Sequence, residues 1–233
     1  MSENVEAVRI QLEDFSQDVE IRALKASSQR MGGIATVLER ARSADGRLYG
    51  LVNIAGIIQP FVDIIDLDFD VIERVINVNF WGTVNMVKAF LPILVTRPES
   101  SIVNVASMGA LVPVPGQSAY GASKAAVSLL TEGLYAELRG SNISITEVFP
   151  GAVNTGITEN SGVERPGDVN EGLAEKLATS PEDAAIKIAT AIEKEKLRVR
   201  IGKDAVLFDL LGRVMPQTGI KLVAKALGSF LSD

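Results

Sequence analysis

The spacing of hydrophobic residues alternates along the chain between a pattern typical of strands and a pattern typical of helices. Short runs rich in β-branched residues suit strands buried on both faces of a parallel sheet, and the longer runs between them have helical spacing. Strands are predicted at 19–25, 48–54, 101–106, 143–149 and 198–202, and helices at 2–16, 31–42, 67–96 (with a break near 77–79), 118–139 and 181–195. This alternation predicts one α/β domain over residues 1–233, a doubly wound parallel sheet with helices on both faces.

Polar or turn-forming residues stand where three of the predicted strands end. Asn53 closes the second strand, Ser107 follows the third, and Pro150 follows the fourth. Ligands of doubly wound sheets bind at the carboxyl ends of the strands. We therefore expect these three residues to border one crevice.

The helix at 118–139 carries Tyr120 and Lys124 four residues apart, and therefore on one face. An ammonium beside a phenol favours the phenolate, so Lys124 is expected to lower the Tyr120 pKa from its usual value of about 10. Tyr120 would then exchange a proton near neutral pH. Ser107 is placed to hydrogen-bond an oxygen on which charge develops. Considered alone, the pair has an alternative interpretation, a helix-surface tyrosine beside a solvated lysine.

Further segments accompany this pair in a fixed order. They are Asn53-Ile-Ala-Gly56, Asn79 within Ile76-Asn-Val-Asn-Phe-Trp-Gly82, Ser107 thirteen residues before Tyr120, and Pro150-Gly-Ala-Val-Asn-Thr155. Together they resemble the short-chain dehydrogenase/reductase family, whose fold is a Rossmann-like sheet. The resemblance extends from about residue 19 to about residue 215.

The resemblance implies an oxidoreductase that transfers a hydride between NAD or NADP and a carbonyl or alcohol substrate. It implies that Tyr120 is the acid/base, that Lys124 lowers its pKa and binds the nicotinamide ribose, and that Ser107 polarises the substrate oxygen. Asn79 would hold a water that links Lys124 to solvent, with a polar residue at a helix break as the alternative. The implied cofactor-binding residues are Asn53, Ala55, Gly56, Tyr120, Lys124, Pro150, Gly151, Val153 and Thr155. For the last four of these, an ordinary strand-to-loop turn is the alternative.

One feature of the family cannot be placed on this sequence. The family's TGxxxGxG turn brings the backbone close to the cofactor pyrophosphate, whereas no two of the 20 glycines here are separated by a single residue. We therefore expect a truncated N-terminus without the glycine-rich cofactor-binding unit. Residues 1–47 would be a remnant of the nucleotide half, 48–203 the catalytic core and 204–233 a helical tail. The alternative function is a catalytically silent or truncated relative acting through its dimerisation surface, on the helices at 67–97 and 118–139.

Composition narrows the possible chemistry and partners. The sequence has no histidine and no cysteine, which excludes Ser-His-Asp hydrolysis, disulfides and the usual zinc sites, and no metal site is predicted. The net charge of −6 disfavours nucleic-acid binding. Without an apolar run of membrane-spanning length or a signal-peptide core, we expect a cytoplasmic protein. The resemblance implies a small-molecule substrate and a homodimer or homotetramer.

Three segments towards the C-terminus have their own interpretations. Residues 206–231 are apolar at helical spacing with interleaved Lys and Arg. They predict a helix packed on the body or on a second subunit, with an amphipathic helix at a membrane surface as the alternative. The basic residues at 194–203 predict a solvated face rather than an anion site. Residues 153–180 have the length and weak periodicity of a mobile substrate loop.

Overall fold

The computed structural model describes residues 48–164 and 178–227. Within these ranges the strands are β1 (Gly50–Asn53), β2 (Ser100–Val105), β3 (Ile143–Pro150) and β4 (Arg198–Ile201). The helices are α1 (Phe69–Ile76), α2 (Gly82–Leu94), α3 (Ser118–Glu137), α4 (Ile157–Ser161), α5 (Pro181–Glu193), α6 (Lys203–Val214) and α7 (Pro216–Leu227). A π-helical turn (Asn77–Trp81) joins α1 to α2, and a 3-10 turn (Met108–Ala110) follows β2.

The four strands form one parallel sheet in the order β1–β2–β3–β4. Val52 pairs with Val103 of β2, and Val148 of β3 pairs with Val199 of β4. Every strand predicted within the described ranges is present. Because all strands run in the same direction, their carboxyl ends lie along one edge, as the predicted crevice requires.

Helices cover both faces of the sheet, because neighbouring residues of a strand point to opposite sides. On one face, Ile102 packs with Val87 of α2 and Leu134 of α3. On the other face, Val103 packs with Ile188 of α5. The continuous apolar character of β2 follows from this burial on both faces. The predicted doubly wound α/β fold is confirmed.

The predicted break near 77–79 is a wider turn rather than an interruption. The chain stays helical from α1 through the π-helical turn into α2. The Thr83 hydroxyl donates a hydrogen bond to the Asn79 carbonyl at 2.8 Å, and the Asn79 side chain binds the backbone of Ile57. Such π-turns are frequent at functional sites. Here the turn carries a fully buried Asn79.

The C-terminal segment forms two helices, where the sequence pattern predicted one apolar helical stretch. α6 ends at Val214, and α7 begins at Pro216. Proline has no backbone N–H and disfavours the helical conformation of the residue before it. Met215 accordingly leaves the helical region, with φ −139° and ψ 66°.

α7 packs back onto the body of the protein through α6. Gly219 lies against Leu211, and Val223 is buried, whereas Ile220 is exposed. Packing on the body is therefore observed, while contact with a second subunit or a membrane surface stays a prediction. Among the described residues, no helix combines the length and apolar character that crossing a bilayer requires.

Two arginines of β4 bind a buried carboxylate. Asp209 of α6 is buried, and it pairs with Arg200 and Arg213 at 2.8 Å each and with Arg198 at 3.3 Å. These bonds hold α6 against the sheet. The predicted solvated face is therefore wrong for Arg198, whereas the Arg200 side chain is 41% exposed as well as paired.

Glu147 is a buried carboxyl in the central part of the sheet. Its Oε2 lies 3.5 Å from Nη1 of Arg198. Burial raises the pKa of Glu147 to about 7, while the neighbouring Ser128 hydroxyl and the Arg198 charge oppose the shift. Keeping this carboxyl ionised above pH 7 therefore costs folding free energy.

Glu147→Gln is expected to raise the free energy of unfolding at about pH 8 by roughly 2 kcal/mol. Between the ordinary pKa of 4.5 and the native pKa of about 7, the native state binds more protons than the unfolded state. Wild-type stability should therefore fall relative to the variant as the pH rises through this window. Urea denaturation across the window measures the difference. Glu132→Gln, at a more exposed carboxyl, is the matched control, and a pH-independent difference for Glu147→Gln would contradict the expectation.

Several predictions fall on residues outside the described ranges. They are the helices at 2–16 and 31–42, the strand at 19–25, the stretch 165–177 of the predicted substrate loop, and the end of the tail beyond 227. The predicted loss of the glycine-rich unit falls there too. Within the predicted loop, residues 157–161 form α4, and Val153 pairs with Thr179.

Candidate active site

Ser107 and Tyr120 meet at the carboxyl end of β2. Ser107 follows the strand and caps the 3-10 turn, its Oγ accepting a hydrogen bond from the Gly109 backbone N–H at 3.1 Å. Ser107 Oγ and the Tyr120 ring both lie against Gly109, where an added Cβ would be 3.5 Å from Ser107 Oγ and 3.6 Å from Tyr120 Cε1. Tyr120 lies in the first turn of α3 and is partly exposed. The two groups predicted to act on one substrate oxygen are therefore neighbours.

The pKa of Tyr120 lies above its ordinary value. Burial disfavours the phenolate and raises the pKa, and the hydrogen bond with Ser107 opposes this only in part. The predicted net lowering of the Tyr120 pKa is therefore wrong for this structure, in which burial outweighs the effect of Ser107. At neutral pH the phenol keeps its proton and can donate it.

Lys124 is a buried ammonium one helical turn after Tyr120. Its Nζ donates a hydrogen bond to the Val105 carbonyl at 2.9 Å, and burial lowers its pKa to about 8. Gly56 lies directly against it, since a Cβ at Gly56 would be 3.0 Å from Nζ. An ammonium has three donors, and one is used within the described residues, so two are available to a ligand.

Asn79 fixes the backbone beside Lys124. Its Oδ1 accepts from the Ile57 N–H, and its Nδ2 donates to the Ile57 carbonyl and to Ser123 Oγ, each at 2.9 Å. Ser123 in turn donates to the Tyr120 carbonyl at 2.7 Å. The Asn79 side chain therefore connects the loop after β1 to α3. Its role of holding a water stays a prediction.

Asn53 holds the end of β1 to β2. Its Nδ2 donates to Asn104 Oδ1 at 2.8 Å, and Asn104 Nδ2 donates to Thr131 of α3 at 3.0 Å. Ala55, two residues later, is exposed. Asn53, Ala55 and Gly56 thus form the β1 side of the site, and cofactor contact at each of them stays a prediction.

The segment from Pro150 to Thr155 leaves the end of β3 beside α6. The Ala152 N–H donates to Asp204 Oδ2 at 2.7 Å, and the Gly151 N–H donates to the Ile201 carbonyl at 2.8 Å. A side chain at Gly151 would overlap the Asp204 carboxylate. The side chain of Val153 packs into the apolar layer under α5. Val153 and Thr155 are both partly exposed.

Four polar residues beside the site were not among those predicted from the sequence. They are Gln59, Gln117, Ser161 and Asp204. Ser161 Oγ accepts from the Ile58 N–H at 2.9 Å, and the Gln59 side chain binds the start of α3. A lone glutamine within the apolar stretch 57–61 is a signal that could have drawn attention to Gln59. For the other three, the sequence pattern carries no comparable signal.

Comparison with known protein families shows to which family the chain belongs. The family described as short chain dehydrogenase matches residues 1–165. This range includes Asn79, Ser107, Tyr120 and Lys124. The chain belongs to the short-chain dehydrogenase family.

Individual relatives agree with this assignment. The chain is 39% identical over 170 residues to "Putative oxidoreductase SadH" of Mycobacterium tuberculosis, which covers 70% of this chain and 61% of that protein. It is 31% identical over 196 residues to the 3-ketodihydrosphingosine reductase of Bacteroides thetaiotaomicron, covering 84% of this chain and 64% of that protein. The chain spans about three fifths of the length of these curated relatives.

A solved structure shows the same fold with a cofactor. A short chain dehydrogenase from Burkholderia cenocepacia, in complex with NADP, superposes with a TM-score of 0.70 at 25% sequence identity. The match covers 88% of this chain and 77% of that one. Nicotinamide cofactors are therefore bound within this fold by a member of the family.

The chemistry of the residues around Lys124 is compatible with the ribose side of such a cofactor. Gly56 leaves room beside a buried ammonium that any side chain there would crowd. Lys124 retains two donors that suit the hydroxyls of a ribose. Gly151 and the backbone up to Thr155 border the same edge of the sheet. The described residues concern the ribose side of the cofactor, and this compatibility is limited to that side.

Proposed function

We propose that the chain is an oxidoreductase that transfers a hydride between NAD(P)(H) and the carbonyl or alcohol group of a small molecule. The observation that carries this proposal is the position of Ser107 and Tyr120, which both lie against Gly109, one helical turn from the buried Lys124. We assign to these groups the tasks of a proton donor, a polar group for the substrate oxygen, and a cation. In this proposal they supply what a carbonyl reduction needs apart from the hydride.

Each residue has a distinct task in the proposed reaction. The nicotinamide cofactor, when bound, supplies or accepts the hydride. Ser107 hydrogen-bonds the substrate oxygen and holds it against the Tyr120 phenol. Tyr120 donates its proton to that oxygen in reduction and removes it in oxidation. The positive charge of Lys124 stabilises the phenolate that reduction leaves on Tyr120.

Asn79 and Gly56 keep Lys124 in place for this task. Asn79 anchors the loop at Ile57, and Gly56 allows the loop to pass against the ammonium. We assign to Lys124 the contact with the nicotinamide ribose, and to the backbone from Pro150 to Thr155 the contact with the nicotinamide.

Calorimetric titration of the folded chain with NADH and with NADPH tests the proposal. We expect micromolar binding of at least one, and the comparison identifies the preferred cofactor. Gly56→Val provides the control, because its side chain would crowd Lys124 and should weaken binding about tenfold or more. A folded chain that binds neither nucleotide would contradict the proposal. It would favour the silent relative instead.

We also propose that the chain forms a homo-oligomer through the outer face of α1 and α3. Phe69 and Leu129 are large apolar residues that are 83% and 72% exposed, and Trp81 is 50% exposed. Exposed aromatic and aliphatic side chains of this size are typical of interfaces. This surface would serve an active enzyme and a silent relative equally.

Leu129→Glu is expected to convert the oligomer to monomer at micromolar concentration, because it places a charge in an apolar contact. Size-exclusion chromatography with light scattering measures the mass. Leu210→Glu on α6, at a residue that is 58% exposed, is the matched control and should leave the mass unchanged. If Leu210→Glu dissociated the oligomer and Leu129→Glu did not, the interface would instead involve the C-terminal helices.

A further inference from the structure

We propose that Gln59 positions Tyr120 through a reciprocal clamp that it forms with Gln117. The proposal rests on the proposed function, since positioning matters where Tyr120 handles a proton. Neither glutamine belongs to the sites predicted from the sequence. Both side chains are buried, Gln59 completely.

The Gln59 side chain uses its whole carboxamide on the start of α3. Its Oε1 accepts from the backbone N–H groups of Ala119 at 2.8 Å and Tyr120 at 3.0 Å. Its Nε2 donates to the Gly116 carbonyl at 2.8 Å. One side chain therefore holds the chain before the helix and the backbone of Tyr120 itself.

These contacts replace an ordinary helix cap. The first N–H groups of a helix have no partner within it, and a side chain at the N-cap usually accepts from the second or third of them. In α3 the N-cap residue is Gln117, whose side chain makes no such bond. Ala119 and Tyr120 occupy the second and third positions, and Gln59 takes their N–H groups from a loop about sixty residues earlier. The position of the helix start is thereby tied to the loop after β1.

Gln117 completes the clamp in the opposite direction. Its Nε2 donates to the Gln59 carbonyl at 2.9 Å. Each glutamine side chain thus binds the main chain around the other. Two separated points of attachment restrain the rotation as well as the translation of the first turn of α3. That turn carries the Tyr120 phenol, which must meet Ser107 on a separate element.

The same loop also supports the other groups of the site. Gly56 lies against Lys124, Ile57 binds Asn79, and Ile58 binds Ser161 of α4. Gln59 extends this series to Tyr120. The loop from 56 to 59 therefore fixes Tyr120 and Lys124 relative to one common backbone segment.

The test compares Gln59→Met with wild type in three measurements. Methionine keeps the length and approximate volume of the side chain and removes its three hydrogen bonds. We expect residue-resolved amide hydrogen exchange to become at least about tenfold faster at Ala119 and Tyr120, but not at the far end of α3. We expect kcat to fall about 10- to 100-fold with little change in KM. The phenol pKa of Tyr120, followed by tyrosinate absorbance, should move towards its ordinary value as burial is lost.

Two further variants keep the test decisive. Gln117→Met breaks the opposite half of the clamp and should change the same readouts in the same direction, even if Gln59→Met fails to fold. Ser141→Ala removes a side-chain hydrogen bond from the turn between α3 and β3, where Ser141 Oγ accepts from the Ile143 N–H at 3.2 Å, away from Tyr120. It should cost at most a few degrees of thermal stability and leave kcat and the Tyr120 titration unchanged.

The outcomes separate this proposal from the proposed function. Faster exchange at Tyr120 together with a lower kcat supports positioning. Faster exchange with an unchanged kcat would overturn it and leave Gln59 as a helix cap only, and a lower kcat with unchanged exchange would overturn it as well. If wild type shows no turnover, the proposed function fails, and the exchange and phenol titration alone decide whether the clamp holds Tyr120.

Discussion

Replacement of Tyr120 by Phe is expected to lower kcat about 10³-fold while the chain stays folded. The substitution removes only the phenol oxygen, and with it the proton donor in contact with Ser107. Loss of one hydrogen bond at a partly exposed residue costs about 1 kcal/mol of folding free energy, so the fold should survive. The decrease should appear in kcat more than in cofactor affinity, since the proton moves only in the chemical step.

Tyr135→Phe is the matched control for this prediction. Tyr135 lies on the same helix, but it is 43% exposed, and it should be replaceable without loss of rate. Steady-state rates and thermal denaturation of the two variants separate chemistry from stability. A Tyr120→Phe variant that kept a tenth of the wild-type rate would remove Tyr120 from the proposed mechanism.

Lys124→Met is expected to lower kcat/KM by about 10²-fold or more and to weaken binding of the preferred nicotinamide nucleotide. The ammonium is buried beside Gly56 and donates to the Val105 carbonyl at 2.9 Å. Methionine has a similar length without the charge. Lys187→Met, at an exposed position on α5, controls for removal of one positive charge. Wild-type cofactor affinity in Lys124→Met would contradict the assigned ribose contact.

Lys124→Met is also expected to reveal how the burial of Lys124 makes the free energy of unfolding depend on pH. The native pKa of Lys124 is about 8, below the ordinary 10.5, so the native state binds fewer protons than the unfolded state between these values. The stability of wild type relative to Lys124→Met should therefore rise as the pH increases through that window. Denaturation of both proteins from about pH 7 to about pH 10 measures the trend. A falling or flat difference would show that the ammonium is not desolvated.

Local sequence patterns predict the fold well because they report burial directly. Strand β2 reads as continuously apolar since Ile102 and Val103 face different helical layers. The order of Asn79, Ser107, Tyr120 and Lys124 predicts the family, which the family comparison shows. The carboxyl ends of parallel strands share one edge of the sheet, so the placement of Asn53, Ser107 and Pro150 along that edge follows from the topology.

Long-range contacts explain what the sequence did not predict. The spacing of Tyr120 and Lys124 gives their common helix face, but burial decides the Tyr120 pKa, and burial depends on the assembled fold. Arg198 and Arg200 read as a solvated face because their partner, Asp209, lies on the following helix. Gln59 is about sixty residues from the helix that it caps. Contacts between residues so far apart in the sequence cannot be predicted from a local period or spacing.

An experiment can distinguish the proposed enzyme from the alternative, a catalytically silent relative that acts through its dimerisation surface. Both would share the fold and the exposed apolar surface at Phe69 and Leu129. The two differ in whether the Ser107–Tyr120 contact serves a reaction. The alternative predicts that the contact is preserved only for folding, so its removal would alter stability and nothing else.

Single-turnover oxidation of stoichiometric NADH or NADPH, followed at 340 nm with a panel of aldehydes and ketones, tests the central claim most directly. We expect wild type to consume the cofactor with at least one carbonyl compound. Under the same conditions Tyr120→Phe should bind the cofactor and leave it unconsumed, while Tyr135→Phe behaves as wild type. A folded wild type that binds the cofactor and consumes none across the panel, or a Tyr120→Phe variant that matches its rate, would contradict the account.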